Sequence, residues 1–227
     1  MMIPVSDRRG PSLRLVSERL ASRTAWRVPD DVSQDALTRR AAVAVVLREP
    51  ADAGAAALEL LLIKRAEHEG DPWSGHVALP GGREEVDDRS LEDTAVRETF
   101  EETGLDLRRD GRILGVLDEL HPRSAPVPVL VRPYVAWVDR DPALRLSDEV
   151  ASACWVPLTT FTAPGATVES TVEARGLTRR VPSFRHGDYI VWGMTERILR
   201  NLVTLVAPTD DRPDDRPADG PVADRTT

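Results

Sequence analysis

Apolar positions fall into short blocks with two different periods, and the blocks predict the elements. Ala41–Leu47 (AAVAVVL) is a continuous apolar run, partly β-branched, and reads as a buried strand. Leu58–Arg65 (LELLLIKR) reads as a second strand, and the alanine-rich stretch between the two as a hairpin-like loop. Gly70–Gly82 (GDPWSGHVALPGG) is a loop rich in glycine and proline, interrupted by an extended His76-Val77-Ala78-Leu79. Ser90–Thr103 follows as a helix. Ser90 suits the N-cap, Asp93 completes a capping box three residues on, and Gly104 suits the left-handed residue that ends a helix. Ile113–Leu117, Val127–Val138 and Ala151–Val156 read as strands, and Val168–Val172, Arg179–Phe184 and Tyr189–Val191 as shorter ones. Helices are predicted near both ends: Ser12–Arg23, with Leu13, Leu15, Val16 and Leu20 roughly on one side, and Met194–Val206, with Ile198, Leu199, Leu202 and Leu205 apolar.

Strands and helices do not alternate regularly, which predicts an α+β fold: a mixed sheet with helices on its faces. The 227 residues suit one domain with appendages. Residues 1–39 are expected to be an appendage packed on the domain and residues 40–207 the domain itself. Residues 208–227, rich in Asp, Arg and Pro with almost nothing to bury, are expected to be a disordered tail.

Composition narrows the function classes. The chain is 41% hydrophobic and 30% charged, as soluble globular proteins are. Its formal charge of −8 speaks against binding nucleic acid by bulk charge. A single cysteine, Cys154, excludes an internal disulfide and suggests a reducing compartment. No apolar run approaches the roughly 20 residues of a membrane helix, and the first residues carry no export stretch. The expectation is a cytoplasmic protein, monomeric or homodimeric, whose partner is a small molecule rather than nucleic acid or membrane.

One window departs from this even picture. Between Glu84 and Asp106 the only basic residues are Arg89 and Arg97, and the window alone carries a charge equal to that of the whole chain. Acidic runs ordinarily face solvent. Here Glu98, Glu101 and Glu102 are three and four residues apart, so a helix projects them from neighbouring positions on one side. They also lie in its last two turns, where the macrodipole disfavours anions. A divalent cation would convert that repulsion into coordination, and a hard oxygen cluster suits Mg²⁺ or Mn²⁺. Upstream, Pro80-Gly81-Gly82 allows the backbone to turn sharply and approach an ion or phosphate.

These residues resemble a known family. Gly82–Leu105 (GREEVDDRSLEDTAVRETFEETGL) resembles the Nudix box, a glycine followed by spaced Glu and then Arg-Glu-x-x-Glu-Glu-x-Gly. The second half matches fully. The first half is one residue longer than the general box, which puts Arg89 or Ser90 near the place of the early Glu, with Asp87 or Asp88 as its substitute. The resemblance implies a Nudix-like mixed β-sheet sandwiched between helices and an enzyme. It implies hydrolysis of a nucleoside diphosphate linked to another group, with Mg²⁺ held by the helix. The extra residue, the strand Leu61-Leu62-Ile63-Lys64-Arg65 leading to Pro80-Gly81-Gly82, and Tyr189–Thr195 (YIVWGMT) resemble the coenzyme A pyrophosphatase branch. That resemblance runs from about Ala41 to Val206. It implies cleavage of coenzyme A or a derivative to 4′-phosphopantetheine and adenosine 3′,5′-bisphosphate. Ala66, Asp71 and Leu79 stand where the branch usually has Ser, Arg and Phe. The alternatives are a nucleotide-sugar, dinucleotide or nucleoside triphosphate as substrate, or a non-catalytic ligand sensor. A sensor need not keep all three helix glutamates, and this chain has them.

For individual residues the resemblance implies that Glu98, Glu101 and Glu102 hold the metal, directly or through water, with a Gly81 or Gly82 carbonyl completing the shell. Arg97 orients a glutamate by ion pairing. The candidate base that deprotonates the attacking water is Glu149, with Glu119 second and Glu101 also placed in the catalytic set. Arg65, Arg83 and Gly81 are the expected substrate-binding residues, and Arg123 and Arg132 are further cations on later elements. His76 and Trp73 lie near the glycine loop: a catalytic role for His76 is the lesser reading, and Trp73 could stack on a base, although Trp beside Pro72 is more often a loop anchor. Cys154 sits in an apolar strand and reads as core.

Overall fold

The structure is a computed structural model that describes residues 12–29, 39–50, 58–67, 74–121, 128–138, 142–174 and 177–207. Asp71, Trp73, Arg123 and the tail from Pro208 lie outside these residues.

Strands β1 (Arg39–Arg48), β2 (Glu59–Arg65), β3 (Val77–Ala78), β4 (Gly81–Arg83), β5 (Gly111–Val116), β6 (Val129–Val138) and β7 (Val150–Pro157) form one mixed sheet. Its backbone runs β3-β2-β1-β6-β5, with β4 paired to β1 and β7 to β2. The central pair, β1 with β6, is parallel from Arg39 opposite Val129 to Arg48 opposite Val138. Both faces of β1 are covered, which is why its sequence is apolar without alternation. Val45 and Leu47 face a core shared with α1 (Leu13–Ala21) and α4 (Gly193–Val206). Ala44 and Val46 face the opposite side, the side of α2 (Leu91–Thr103). Small side chains at Ala42 and Ala44 give α2 room to lie close to the sheet. The sheet between helices is the α+β arrangement expected from the sequence.

Two predictions about chain segments change. Pro80-Gly81-Gly82 is not only a turn. β1 and β2 pair at one end, Leu47 opposite Leu60, and part company at the other. The chain from Val77 to Arg83 enters that fork, with β3 on β2 and β4 on β1, and the Ala44 amide donates to the Pro80 carbonyl at 2.8 Å. A Cβ at Gly81 would collide with the Ala42 carbonyl and the Val43 Cα, so only glycine allows this approach. The last strands also form a sheet of their own, β10-β9-β8, from β8 (Val168–Ala174), β9 (Leu177–His186) and β10 (Tyr189–Trp192). β8 and β9 outrun their predicted ends because each completes the other's ladder, from Val168 opposite Ser183 to Ala174 opposite Leu177. A short helix, α3 (Thr159–Thr162), was not expected, being too brief to show a period.

The predicted caps of α2 form. The Ser90 hydroxyl accepts from the Asp93 amide at 3.2 Å, and Gly104 is left-handed at φ 72° with its amide on Phe100 O. At the N-terminus, α1 packs its Val16 and Leu20 into the α4-side core. No helix among the described residues is long and apolar enough to cross a membrane.

Candidate active site

The fork delivers Gly81 and Gly82 beneath α2. The Gly81 amide donates to Glu102 Oε2 at 2.9 Å. A Cβ at Gly82 would overlap the carboxylate of Glu98, so that carboxylate lies directly against the glycine backbone. Both glutamates are turned in from the helix, Glu102 to 4% exposure. Burial pushes the Glu102 carboxyl up to about 7; the charges of Glu98 and Glu149 push the same way, against the Gly81 amide and Arg65. Burial also raises Glu98, opposed by Arg97 and reinforced by Glu101 and Glu149.

The third glutamate stands apart. Glu101 points to solvent, its side chain 55% exposed, and accepts from Arg97 Nη1 at 3.0 Å. Projection from one side of a helix therefore does not make the three equivalent: the sheet draws in Glu98 and Glu102 and leaves Glu101 outside. Arg97 is the hub of this outer layer. It donates to Glu98 at 3.1 Å and to the Arg83 carbonyl at 2.9 Å. It clasps Asp88 with two bonds, Nε to Oδ1 at 3.1 Å and Nη2 to Oδ2 at 3.0 Å. Asp88 also accepts from Thr94 Oγ1 and the Glu85 amide, both at 2.9 Å. The Arg97 bond holds the Asp88 carboxyl at about 2. Of the two acids named from the sequence, Asp88 is thus the one that meets Arg97. Counting forward from Gly82, rather than back from Arg97, would have selected it.

Arg65 reaches the same centre from β2, its Nη1 3.8 Å from Glu102 Oε1. The chain at the start of β7 sits alongside: the Ala66 amide donates to the Glu149 carbonyl at 2.8 Å, and the charge of exposed Glu149 acts on the carboxyls of both Glu98 and Glu102. His76 lies opposite Arg65, whose amide donates to the His76 carbonyl at 3.0 Å, and its ring meets Trp192 edge-on at 4.8 Å. The Arg83 side chain is exposed on β4. Glu119 and Arg132 pair with each other, Arg132 lying on β6 opposite Ala42, the partner of Gly82. Glu119 is buried and accepts from Arg132 at 2.6 Å, Arg27 at 3.0 Å and the Val28 amide at 2.8 Å. Its oxygens are engaged by these donors and its side chain is 1% exposed, so Glu119 serves here as a partner of Arg27, Val28 and Arg132. Cys154 packs against the α4-side core, and burial raises its thiol.

The donor set fits a hard divalent cation. Glu98 and Glu102 supply paired carboxylate oxygens in a partly desolvated place, and the glycine backbone leaves space that any side chain would fill. Among the described residues no three His, Cys, Asp or Glu side chains converge into a ligand set. Further ligands would therefore come from backbone carbonyls, water, or a turn of Glu101 away from Arg97.

Comparison with known proteins agrees with this geometry. The profile of the NUDIX domain matches residues 38–174. An uncharacterized protein of Schizosaccharomyces pombe is 38% identical over 131 residues, 55% of this chain and 40% of that protein, so the chain spans well under half of that relative's length. A protein named as an uncharacterized Nudix hydrolase, NudL, of Yersinia pestis (strain Pestoides F) is 31% identical over 149 residues, 65% of this chain and 72% of that one. The crystal structure of a MutT/nudix family protein from Enterococcus faecalis shares the fold, with a TM-score of 0.52 at 23% identity, over 74% of this chain and 62% of the other.

Proposed function

The chain belongs to the Nudix family, and on that premise we propose that it is a hydrolase, dependent on Mg²⁺ or Mn²⁺, that breaks the diphosphate bond of a nucleoside diphosphate derivative. The observation that carries the proposal is the carboxylate pair of half-buried Glu98 and buried Glu102, set against the Gly81-Gly82 backbone with Glu149 beside them. Structural burial alone gives no reason to hold two like charges together out of water.

Glu98 and Glu102 would hold the cation, with Glu101 and a Gly81 or Gly82 carbonyl as further ligands. When bound, the cation neutralises the diphosphate and lowers the pKa of a coordinated water. Glu149, exposed at the rim, takes the proton of the attacking water. The water oxygen bonds to one phosphorus, the bridging P–O bond breaks, and the departing phosphate keeps the bonding electrons. Arg65 and Arg83 bind substrate phosphates from the two strands that flank the glycines. Arg97 fixes Glu98 and Glu101 and ties α2 to the loop that precedes it.

For the substrate, we favour coenzyme A or a derivative, cleaved to 4′-phosphopantetheine and adenosine 3′,5′-bisphosphate. The support is the lengthened box together with Leu61–Arg65 and Tyr189–Thr195. Ala66, Asp71 and Leu79 favour the second reading, a nucleotide-sugar, dinucleotide or nucleoside triphosphate. An acid at Asp71 in place of a cation suits a substrate without an extra phosphate. The deciding experiment is a product assay with Mg²⁺ over coenzyme A, NADH, ADP-ribose, other nucleotide-sugars and nucleoside triphosphates. Coenzyme A turnover above all others supports the first reading, and a chelator should abolish it. Turnover confined to another member of the panel supports the second. No metal-dependent turnover of any of them defeats the hydrolase proposal.

A further inference from the structure

A segment outside the box reaches the helix that carries it. Residues 22–28, which follow α1, are held as a strap by two adjacent carboxylates. Asp118 accepts from Arg23, from the Trp26 amide at 2.7 Å and from Asn201 of α4 at 2.9 Å. Glu119 accepts from Arg27, the Val28 amide and Arg132, and its own amide donates to the Trp26 carbonyl at 3.1 Å. Arg23 adds a bond to Asn201 Oδ1 at 3.3 Å, and a buried carboxylate such as Glu119 is tolerated only with this many partners.

These bonds place Val28. Its side chain is 4% exposed in a cluster with Ala42, Leu91, Ala95, Leu130 and Tyr134. Leu91 and Ala95 belong to α2, and they are spaced four, then three, then four residues along the stripe Leu91, Ala95, Glu98, Glu102. At 3.6 residues per turn these four lie on one face. Val28 therefore belongs to the cluster that buries the face of α2 which, two turns later, presents the carboxylates to Gly81 and Gly82. That packing matters because Ala95 of this face and Ala42 of β1 beneath it are small, so Val28 joins Leu91, Leu130 and Tyr134 in filling the space between helix and sheet and resisting a roll of α2. A roll about the helix axis would move Glu98 and Glu102 off the glycine backbone.

We propose that the strap is a positioning element of the active site: Val28, anchored by Glu119, sets the rotation of α2 and with it the cation affinity of Glu98 and Glu102. The inference rests on the reading of those two glutamates as cation ligands. Neither Val28 nor Glu119 touches the cation or substrate, so both act through the helix.

The test is Mn²⁺ binding to the full chain without substrate, followed by the electron paramagnetic resonance of free Mn²⁺, with folding checked by circular dichroism. Val28→Ala should weaken Mn²⁺ binding about fivefold or more, by analogy with residues that orient metal ligands from outside the coordination sphere. Val28→Ile should restore it. Leu205→Ala, in the core on the other side of the sheet, should lower the melting temperature yet leave Mn²⁺ affinity unchanged. Val28→Ala binding like the wild type, or Leu205→Ala weakening it equally, overturns the positioning role. Should Val28→Ala fail to fold, Arg27→Ala, which loosens the anchor from the surface, takes its place: weaker binding supports the role and unchanged affinity overturns it. A wild-type chain that binds no Mn²⁺ instead overturns the metal reading of the glutamates, and this inference with it.

Discussion

At the scale of single residues, the two glycines under α2 make separable predictions. Gly81→Ala brings a methyl group against backbone atoms of Ala42 and Val43, which cannot move without opening the β1–β4 pairing. It should cost about 2–3 kcal/mol, measured by urea unfolding. At Gly82→Ala the atoms nearest the new methyl group are those of the Glu98 carboxylate, the far end of a flexible side chain. That variant should unfold close to the wild type but lose activity, because Glu98 must leave its place. Glu102→Gln keeps shape and removes a charge; it should lower turnover by at least about 100-fold, with folding intact by circular dichroism. Near-normal turnover in that variant would end the account of the helix as a cation holder.

The pairing of Asp88 with Arg97 also sets a pH dependence. The Asp88 carboxyl titrates at about 2 in the folded protein, against 3.8 when unperturbed. A lowered carboxylate stabilises the fold while ionised, so its contribution is complete above about pH 4 and fades as the pH falls toward 2. Asp88→Asn should flatten the part of the acid-unfolding curve that lies in this interval. Identical slopes for the variant and the wild type between those pH values would show that the pair is not coupled to folding.

At the scale of elements, α2 is a helix under electrostatic strain held by its ends and its buried face. Its glutamates crowd the C-terminal turns, and it has no basic residue in the last turn to offset the macrodipole. The Ser90 cap and the left-handed Gly104 compensate at the termini. Ser90→Ala should therefore cost about 1 kcal/mol, read from the shift of the urea midpoint at constant slope. The fork between β1 and β2 is the other element-level device. A two-residue strand such as β3 has little stability of its own. Its neighbours on β2 and the Ala44 bond to Pro80 hold it, and the glycines inherit that rigidity.

At the scale of the whole molecule, helices cover both faces of one mixed sheet, while a smaller sheet of three strands follows it in the chain. Phe184 of that smaller sheet meets Phe161 edge-on at 5.3 Å and joins the α4-side core, so the smaller sheet is packed on the domain rather than appended to it. The residues after Ala207 differ in kind. Their sequence offers almost no apolar surface to offset the entropy of ordering. A chain ended at Ala207 should keep its melting temperature and its activity, and a fall of several degrees would show that the tail packs on the domain.

The sequence by itself determined the strands and helices with strong periods, the caps of α2, the α+β class and the box of glycines and glutamates. Each is written in residues a few positions apart, where backbone geometry alone fixes which side chains are neighbours. What lies between distant segments was decided only by the tertiary structure. Ala41 and Val131 are paired in parallel although far apart in the chain, and nothing local specifies that partnership. The two glycines after Pro80 became part of a strand because a fork opened beside them. Glu98 and Glu102 turned inward and Glu101 outward because the sheet covers only one side of α2, whereas helical spacing treats all three alike. Val28 reached the cluster under Leu91 and Ala95 through hydrogen bonds to Asp118 and Glu119, some 90 residues away. Local spacing carries the chemistry of the helix; burial and long-range pairing, which act between residues that the chain does not make neighbours, decide which of its carboxylates meet.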